Sequence, residues 1–323
     1  MTISVVIPTY NRRTHIFRAI ESVLAQTVPV DEIIVVDDGS TDGTAEAVGS
    51  RYGSSVSIFR QENRGVAAAR NRGIHEARCE WIAFLDSDDV WLPTKVQRQL
   101  EALAALRGEF GVCFTDNVFD GNPDMKRSMF QEAGFEGAPG FGTLEDPAQY
   151  IVAGREPFFT SSLLVQRSVL EEVDGFDEAL AIGEDTDLFF RLSFRTRFCF
   201  AAEPLVRIDR EPSRLYTVSS LCSTRDDRKY DSLERWYTKW LAMPEVTGTK
   251  YEQPIRETLR LVYYSSVEAK VHDLRIRPAF RRLGRLKALG HSYPLIILRL
   301  FTRKIKKLRR GSNGSESRIG WQW

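Results

Sequence analysis

Histidine and cysteine are scarce in this chain of 323 residues, which holds four of each. His15, His75, His272 and His291 lie far apart, and Cys79, Cys113, Cys199 and Cys222 include no C-x-x-C pair. That spacing excludes a disulfide framework and a structural zinc site, and it suits a reducing compartment. Cys79 and Cys113 sit in apolar surroundings and read as small core residues. His15 and His75 fall on amphipathic helices and read as structural. Long hydrophobic runs are also lacking: the longest clean run near the C-terminus, 295–298, is far below the ~20 residues of a membrane helix. Met1 leads into a strand-like run without a basic start or a small-residue cleavage site, so no secretory signal is expected. Phosphate-cradling loops of the G-x-x-x-x-G-K-[ST] and G-x-G-x-x-G types are absent, which disfavours kinases and nicotinamide dehydrogenases together. A bound phosphate would then need a metal to carry its charge.

Charge is short of one sign in each part of the chain. Residues 275–310 hold 13 Lys and Arg and no Asp or Glu, whereas residues 1–274 hold 31 basic against 43 acidic residues, about −12. The formal net charge of +1 hides this. An acidic body with a basic end implies an anionic partner for that end. Within 294–310, Ile297, Phe301, Ile305 and Leu308 share one helical stripe and Arg299, Arg303, Lys306 and Arg310 another. Such a helix suits peripheral contact with an anionic membrane, and packing on the body or on a second subunit is the competing reading. No nucleic-acid partner is expected. The expected location is cytoplasmic, with a possible hold on the inner face of the membrane.

Apolar runs at 3–10, 32–38, 56–61, 81–85 and 111–115 alternate with helical patterns, the first with Ile16, Ile20, Val23 and Leu24 on one face and the others at 44–52, 65–79 and 93–107. Strands apolar throughout and separated by helices predict a parallel sheet covered on both faces. Ligands of such sheets bind beyond the carboxyl ends of the strands. Polar clusters stand there: Pro8-Thr9-Tyr10-Asn11-Arg12, Asp37-Asp38-Gly39-Ser40 and Asp86-Ser87-Asp88-Asp89. Three such ends at one sheet edge predict a shared cleft. Residues 120–157 read as a long loop rich in Gly, Pro and charge. Strands follow at 161–166 and 198–207, with a helix at 184–195 between them. The expected division is a catalytic domain over 1–212, a helical region over 213–310 and a flexible tail over 311–323.

If residues 86–88 stay extended, Asp86 and Asp88 share one face. Two hard carboxylates without thiol or imidazole suit Mg²⁺ or Mn²⁺, with substrate phosphates and water as the remaining ligands. The competing reading is that Asp88 or Asp89 caps the helix beginning near Pro93.

These blocks resemble glycosyltransferase family 2. The likeness is carried by Ile3-Ser4-Val5-Val6-Ile7-Pro8-Thr9-Tyr10-Asn11-Arg12, by Val36-Asp37-Asp38-Gly39-Ser40-Thr41-Asp42, by Asn63-Arg64-Gly65-Val66-Ala67-Ala68-Ala69-Arg70-Asn71 and by Phe84-Leu85-Asp86-Ser87-Asp88-Asp89. Val173-Asp174-Gly175-Phe176-Asp177-Glu178 and Gly183-Glu184-Asp185-Thr186-Asp187-Leu188 resemble acceptor-side blocks, so the likeness covers roughly residues 1–210. It implies a GT-A-type, Rossmann-like and mostly parallel sheet sandwiched by helices, with a helical C-terminal extension. It further implies an inverting, metal-assisted enzyme that moves a sugar from a nucleoside-diphosphate sugar, UDP-linked by preference. The acceptor would be a hydroxyl of a glycan or lipid-linked saccharide, as in cell-envelope polysaccharide synthesis.

The resemblance assigns roles to matching positions. Pro8, Thr9, Tyr10 and Arg12 would line the nucleotide site, Asp38 would accept a base N–H, and Asn63 and Arg70 would lie near the nucleotide. Asp88 would hold the metal directly, with Asp86 on ribose or on metal-bound water and Ser87 beside them. Asp185 would be the general base and Glu184 its orienting partner. For Arg70 a solvated helix face is the competing reading. For Glu184 and Asp185 it is an acidic first turn complementing the helix dipole, the only role expected of Asp187. One departure stands out. The histidine that often follows the strand matching 205–209 is missing, leaving Arg210 or Arg214 as substitutes. Acceptor specificity is expected in 120–157 and around Thr160-Ser161-Ser162. Two alternatives are a sugar-phosphate nucleotidyltransferase and an inactive homologue serving as a binding scaffold. The first would carry a Gly-rich basic loop where Thr9-Tyr10-Asn11-Arg12 stands; intact Asp86, Asp88 and Asp185 oppose the second.

Overall fold

A computed structural model describes residues 1–120, 128–134, 140–209, 227–272 and 285. Its contacts divide the chain into two compact units, Met1–Tyr216 and Thr217–Trp323. The basic segment 294–310, Arg210, Arg214 and the tail 311–323 lie outside the described residues.

The first unit opens with β1 (Ile3–Thr9), α1 (Ile16–Leu24), β2 (Glu32–Asp37), α2 (Thr44–Tyr52), β3 (Ser57–Arg60), α3 (Val66–Glu76) and β4 (Trp81–Phe84). Every residue of β1 and β4 is buried, as strands covered on both faces should be. The unit continues with β5 (Val90–Trp91), α4 (Lys95–Ala105), β6 (Val112–Asp120), α5 (Met129–Glu132), β7 (Phe141–Leu144) and α6 (Pro147–Val152). It closes with β8 (Leu164–Gln166), α7 (Arg167–Glu172), α8 (Glu184–Leu192) and β9 (Phe198–Asp209). One sheet runs in the order β3-β2-β1-β4-β8-β6-β9-β5, with β7 also on β9.

The pairs among β3, β2, β1 and β4 are parallel. β8 then enters antiparallel to both β4 and β6, and β6 pairs parallel with β9. The α/β fold with a covered, largely parallel sheet is therefore as expected. Three details differ. Residues 161–162 belong to a 3₁₀ turn, Thr160–Ser162, ahead of β8. The stretch read as a loop over 120–157 carries β7 and α6, the latter with Asp146 accepting the Gln149 N–H at its N-cap and Pro147 in its first turn. Leu24 is 51% exposed while Ile16, Ile20 and Val23 are buried, because it lies off the stripe at the helix end.

Two features set the site's frame. Pairing of β1 with β4 ends at Val6–Phe84, while pairing with β2 continues through Pro8–Val36 to Thr9–Asp37. Pro8, which has no N–H to donate, thus stands where one neighbour has already left the ladder, and the sheet opens there. Helix α3 packs so closely on β1 that a Cβ on Gly73 would fall 2.2 Å from Val6 Cγ1 and 2.9 Å from Cγ2. Beyond β8 the core is aromatic: Phe114 meets Phe130, Phe158 and Phe200 at 5.0–5.8 Å, which ties α5 and the segment before Thr160 to β6 and β9.

The second unit contains α9 (Asp227–Leu241) and α10 (Glu252–His272). Tyr230, Leu233, Tyr237 and Trp240 are buried at i, i+3, i+7 and i+10 on α9, an apolar stripe of helical period. Ile255, Leu259, Val262 and Val267 are buried on α10, and the Tyr263 hydroxyl donates to Glu234 Oε1 at 3.0 Å across the pair. Among the described residues no helix is long and apolar enough to cross a membrane.

The close approach of α3 generates a prediction. Gly73→Ala should destabilise the protein by about 1–3 kcal/mol through overpacking, read as a lower urea midpoint. Adding Val6→Ala should cost less in the Gly73→Ala background than in the wild type, because the two positions share one contact. Strict additivity would show that Val6 is not what the new methyl meets.

Candidate functional site

The loops after β1 and β2 are sewn together. Asn11 has a left-handed φ of 52°, which Asn tolerates better than most residues. Its N–H donates to Ser40 Oγ at 2.9 Å, and its Oδ1 accepts the Thr41 N–H at 2.8 Å. Asp37 Oδ1 accepts the Ser40 N–H at 2.8 Å. Gly39, at φ 82°, lets the next loop approach, since a Cβ there would lie 3.0 Å from Asn63 N. The result is that Asp38 reaches the start of α3. Its Oδ1 accepts from Gln61 Nε2 at 2.8 Å and Arg64 N at 2.9 Å, and its Oδ2 from Gly65 N at 2.8 Å. Three of the roughly four acceptor directions of a carboxylate are thus used on the protein, and Asp38 is 3% exposed. It serves first as the anion at the N-terminus of α3, and one direction on Oδ2 receives no hydrogen bond among the described residues. Thr9 is buried with its backbone carbonyl accepting the Asp38 N–H at 2.9 Å. Tyr10 is exposed at the mouth, and so is Asn63.

Residues 86–89 are not extended. Asp89 N–H donates to Asp86 O at 3.0 Å, which closes a turn and buries Ser87. The alternation expected for an extended Asp86-Ser87-Asp88 therefore does not apply; the turn itself sets where the two carboxylates lie. The capping alternative fails as well. α4 starts at Lys95 behind Thr94, and the Asp89 carboxylate instead accepts from Ser161 Oγ at 2.5 Å and Asp209 N at 3.2 Å. Asp88 stands 3.6 Å from the Arg12 guanidinium. Burial, followed by the charge of Asp86, pushes the Asp88 carboxyl up despite Arg12. Burial with Asp86 and Asp88 does the same to Asp89.

Arg70 joins this turn to the other half of the cleft. It is 3% exposed, so the solvated-face reading is overturned. Its Nη2 donates to Asp86 Oδ1 at 2.7 Å and its Nη1 to Glu184 Oε1 at 2.9 Å. Its guanidinium also stands 5.2 Å from the centre of the Phe176 ring. Burial alone would depress this group, but Asp86, Glu184 and Asp185 overcome that and raise it. Asn71, the next residue, grips Phe176 at two points, donating to its carbonyl at 2.9 Å and accepting its N–H at 2.8 Å. One turn of α3 therefore carries both the central cation and the clamp on the Phe176 segment.

Glu184 and Asp185 open α8 behind Gly183, whose φ is 74°. They do lie in an acidic first turn, as does Asp187. Asp187 does more than complement the dipole: it is fully buried and accepts from Arg191 Nε at 2.9 Å. Asp185 Oδ1 accepts the Thr186 N–H at 2.7 Å, and among the described residues its Oδ2 receives no hydrogen bond. Glu184 is raised to about 7 by burial and by Asp185, against Arg70. Glu156 joins the group unannounced by any motif. Its Oε1 accepts from Thr186 Oγ1 at 3.5 Å, and burial, with Asp185 adding, raises it to about 7. Ser161 was also missed in its actual role. Thr160, Ser161 and Ser162 are all buried, and Ser161 Oγ accepts the Asp86 N–H at 3.1 Å. They line no open acceptor surface.

Residues 4–171, more than half of the chain, match the model of the family described as Glycosyl transferase family 2. The chain belongs to glycosyltransferase family 2. Its fold is of the GT-A type. One relative in family 2 is the succinoglycan biosynthesis protein ExoO of Rhizobium meliloti, 37% identical over 189 residues, 57% of this chain and 53% of that protein. The chain spans less than a third of the length of the uncharacterized glycosyltransferases of Rickettsia bellii, Rickettsia felis and Rickettsia conorii that it also matches, and 75% of those of Rickettsia typhi and Rickettsia prowazekii. Among solved structures, S. aureus TarS residues 1–349 in complex with UDP-GlcNAc superposes with a TM-score of 0.63 at 17% identity, over 91% of this chain and 92% of that one. The mannosyltransferase PcManGT from Pyrobaculum calidifontis, in complex with GDP-Man and Mn²⁺, superposes with a TM-score of 0.54 at 20% identity, over 95% and 80%.

No group of three or more His, Cys, Asp and Glu among the described residues is arranged to hold a metal by itself. A two-carboxylate site fits better. Asp86 and Asp88 are partly exposed, at 37% and 17% of their side chains, and the charge of Asp86, which after burial pushes the Asp88 carboxyl up, is one that a cation there would offset.

The raised carboxyl of Glu156 makes stability depend on pH with a definite sign. Between its ordinary 4.5 and about 7 the folded protein keeps a proton that the unfolded chain has lost, so this group's contribution to stability falls as pH rises through that window. Glu156→Gln should therefore gain stability relative to wild type from pH 4.5 to 7 and hold a constant difference above. Urea titrations at several pH values read this directly, and a pH-independent difference would place Glu156 in water.

Proposed function

We propose that this glycosyltransferase moves a sugar from a nucleoside-diphosphate sugar, UDP-linked by preference, to a hydroxyl of a glycan or lipid-linked saccharide, with inversion and with Asp185 as general base. The observation that carries the reading is the Arg70 bridge, which joins a strand-end carboxylate, Asp86, to a helix-start carboxylate, Glu184, across one cleft.

The two sides suit the two halves of the reaction. On the donor side, Tyr10 offers an exposed ring, Asp38 keeps one acceptor direction for a base N–H, and Arg12 stands at the Asp86–Asp89 turn. Asp88, with Asp86, would hold Mg²⁺ or Mn²⁺, which when bound neutralises charge on the departing diphosphate. The Mn²⁺ complex of the mannosyltransferase neighbour supports this cofactor. The TarS complex with UDP-GlcNAc supports a uridine donor, while the GDP-Man complex keeps a guanosine donor in play. On the acceptor side, Asp185 Oδ2 has an open lone pair with which to take a proton from a hydroxyl, and Glu184 is held by Arg70 beside it. A base acting on the face opposite the leaving group makes the displacement in-line and inverts the anomeric carbon. The likeness to a succinoglycan biosynthesis protein supports a polysaccharide acceptor.

Asp185→Asn should lower kcat by about 10²–10⁴-fold while leaving donor binding intact, whereas Asp88→Ala should weaken binding of UDP in the presence of Mn²⁺. Product stereochemistry, read by NMR of the new linkage, should show inversion. Full turnover by Asp185→Asn would remove the base assignment. A thermal-shift series with UDP and GDP, with and without Mn²⁺, should show the largest stabilisation for UDP with metal. A larger shift with GDP would overturn the uridine preference.

A further inference from the structure

The Asp86–Asp89 turn is held by a residue outside the six sequence blocks that carry the family likeness. Ser161 is 1% exposed, and its hydroxyl closes a ring around the turn. Ser161 Oγ accepts the Asp86 N–H at 3.1 Å and donates to Asp89 Oδ2 at 2.5 Å. Asp89 N–H returns to Asp86 O at 3.0 Å, and Asp89 Oδ1 accepts the Asp209 N–H at 3.2 Å. Both ends of the turn are thus pinned by one oxygen.

Ser161 is itself fixed from behind by a buried polar network. Trp91 Nε1 donates to Ser161 O at 2.8 Å, and Gln99 Nε2 donates to Ser162 O at 3.0 Å and to Cys113 O at 2.9 Å. Lys95, fully buried on α4, joins the two arms. Its Nζ donates to Gln99 Oε1 at 2.9 Å and lies 3.9 Å from the centre of the Trp91 ring. Among the described residues no carboxylate pairs with it. Burial lowers this ammonium to about 7, and its contacts go to the two side chains that hold the Thr160–Ser162 turn.

We propose that Ser161 is a positioning residue for the donor side: it sets the Asp86–Asp89 turn, and through it aims Asp86 and Asp88. The inference rests on the donor-side reading of those two carboxylates. Without the hydroxyl, the Asp86 N–H and the Asp89 carboxylate each lose a partner where three carboxylates already crowd, and the turn relaxes. Residues that orient metal-binding carboxylates from behind change metal affinity or activity by 10- to 100-fold when removed.

The test titrates UDP in the presence of MnCl₂ into full-length wild type, Ser161→Ala, Ser161→Thr and Asp88→Ala, with GDP in parallel. Ser161→Ala should weaken nucleotide binding at least about 10-fold and raise donor KM more than acceptor KM. Ser161→Thr keeps the hydroxyl and should recover affinity, even where its extra methyl lowers Tm. Unchanged affinity in a folded Ser161→Ala protein, or equal losses for donor and acceptor, would overturn the inference. If Ser161→Ala does not fold, Trp91→Phe removes the N–H behind Ser161 together with part of the buried ring. It should weaken nucleotide binding in the same direction, and unaltered binding there overturns the inference too. Asp88→Ala separates the two levels. If it binds nucleotide as wild type does, the donor-side reading fails. If it loses binding while Ser161→Ala does not, only the role of Ser161 fails.

Discussion

A guanidinium buried between two carboxylates organises this cleft. Arg70 sits on α3, Asp86 follows β4, and Glu184 begins α8, so a single side chain reports on the relative placement of three elements. Taking such a group out of water is expensive, and its two hydrogen-bonded partners offset that cost only if both stay in place. The packing around α3 makes them stay. Asp38 holds the N-terminal end of the helix through the Arg64 and Gly65 amides. Gly73, one turn beyond Arg70, lets the helix sit directly on Val6. Asn71 fastens the Phe176 block against the same turn. Helix α3 is thereby a spacer of fixed length between the loop after β2 and the start of α8.

The parts legible in the sequence are those whose signal is local. Apolar strands β1, β2 and β4 read directly, because each is buried on both faces and needs no alternation. Polar clusters at their ends point to the cleft for the same reason. What sequence could not reveal depends on pairing between distant segments. β5 has two residues and β7 four, and both exist because β9 is long enough to accept them along one edge. Arg70 looks like Arg72 in sequence. Only the placement of α3 on β1 turns one inward, to 3% exposure, and leaves the other at the surface in an ion pair with Glu76. Glu156 comes from a stretch whose Gly, Pro and charge suggested a loop and Ser161 from one read as a strand, and their partners lie 30 and more than 70 residues away. The turn at residues 86–89 misled for a related reason: its conformation is imposed by Ser161 and Asp209, not by its own composition.

The balance of charge carries the last step. Around the cleft stand Asp86, Asp88, Asp89, Glu156, Glu184 and Asp185, against Arg12 and Arg70. Asp88, Asp89, Glu156 and Glu184 are all pushed upward, each first by burial and then by a neighbouring carboxylate. This excess of negative charge opposes a diphosphate arriving alone, since like charges in a partly dry cleft repel strongly. On the proposed reading, donor and divalent cation are therefore linked ligands: each lowers the electrostatic cost of the other, and the cation binds best where Asp88 is most crowded. The same imbalance explains why the turn that presents Asp86 and Asp88 needs so rigid a backing. Mutual repulsion tends to spread the carboxylates apart, and the buried hydroxyl of Ser161, held by Trp91 and the Lys95–Gln99 pair, is the restraint acting against it.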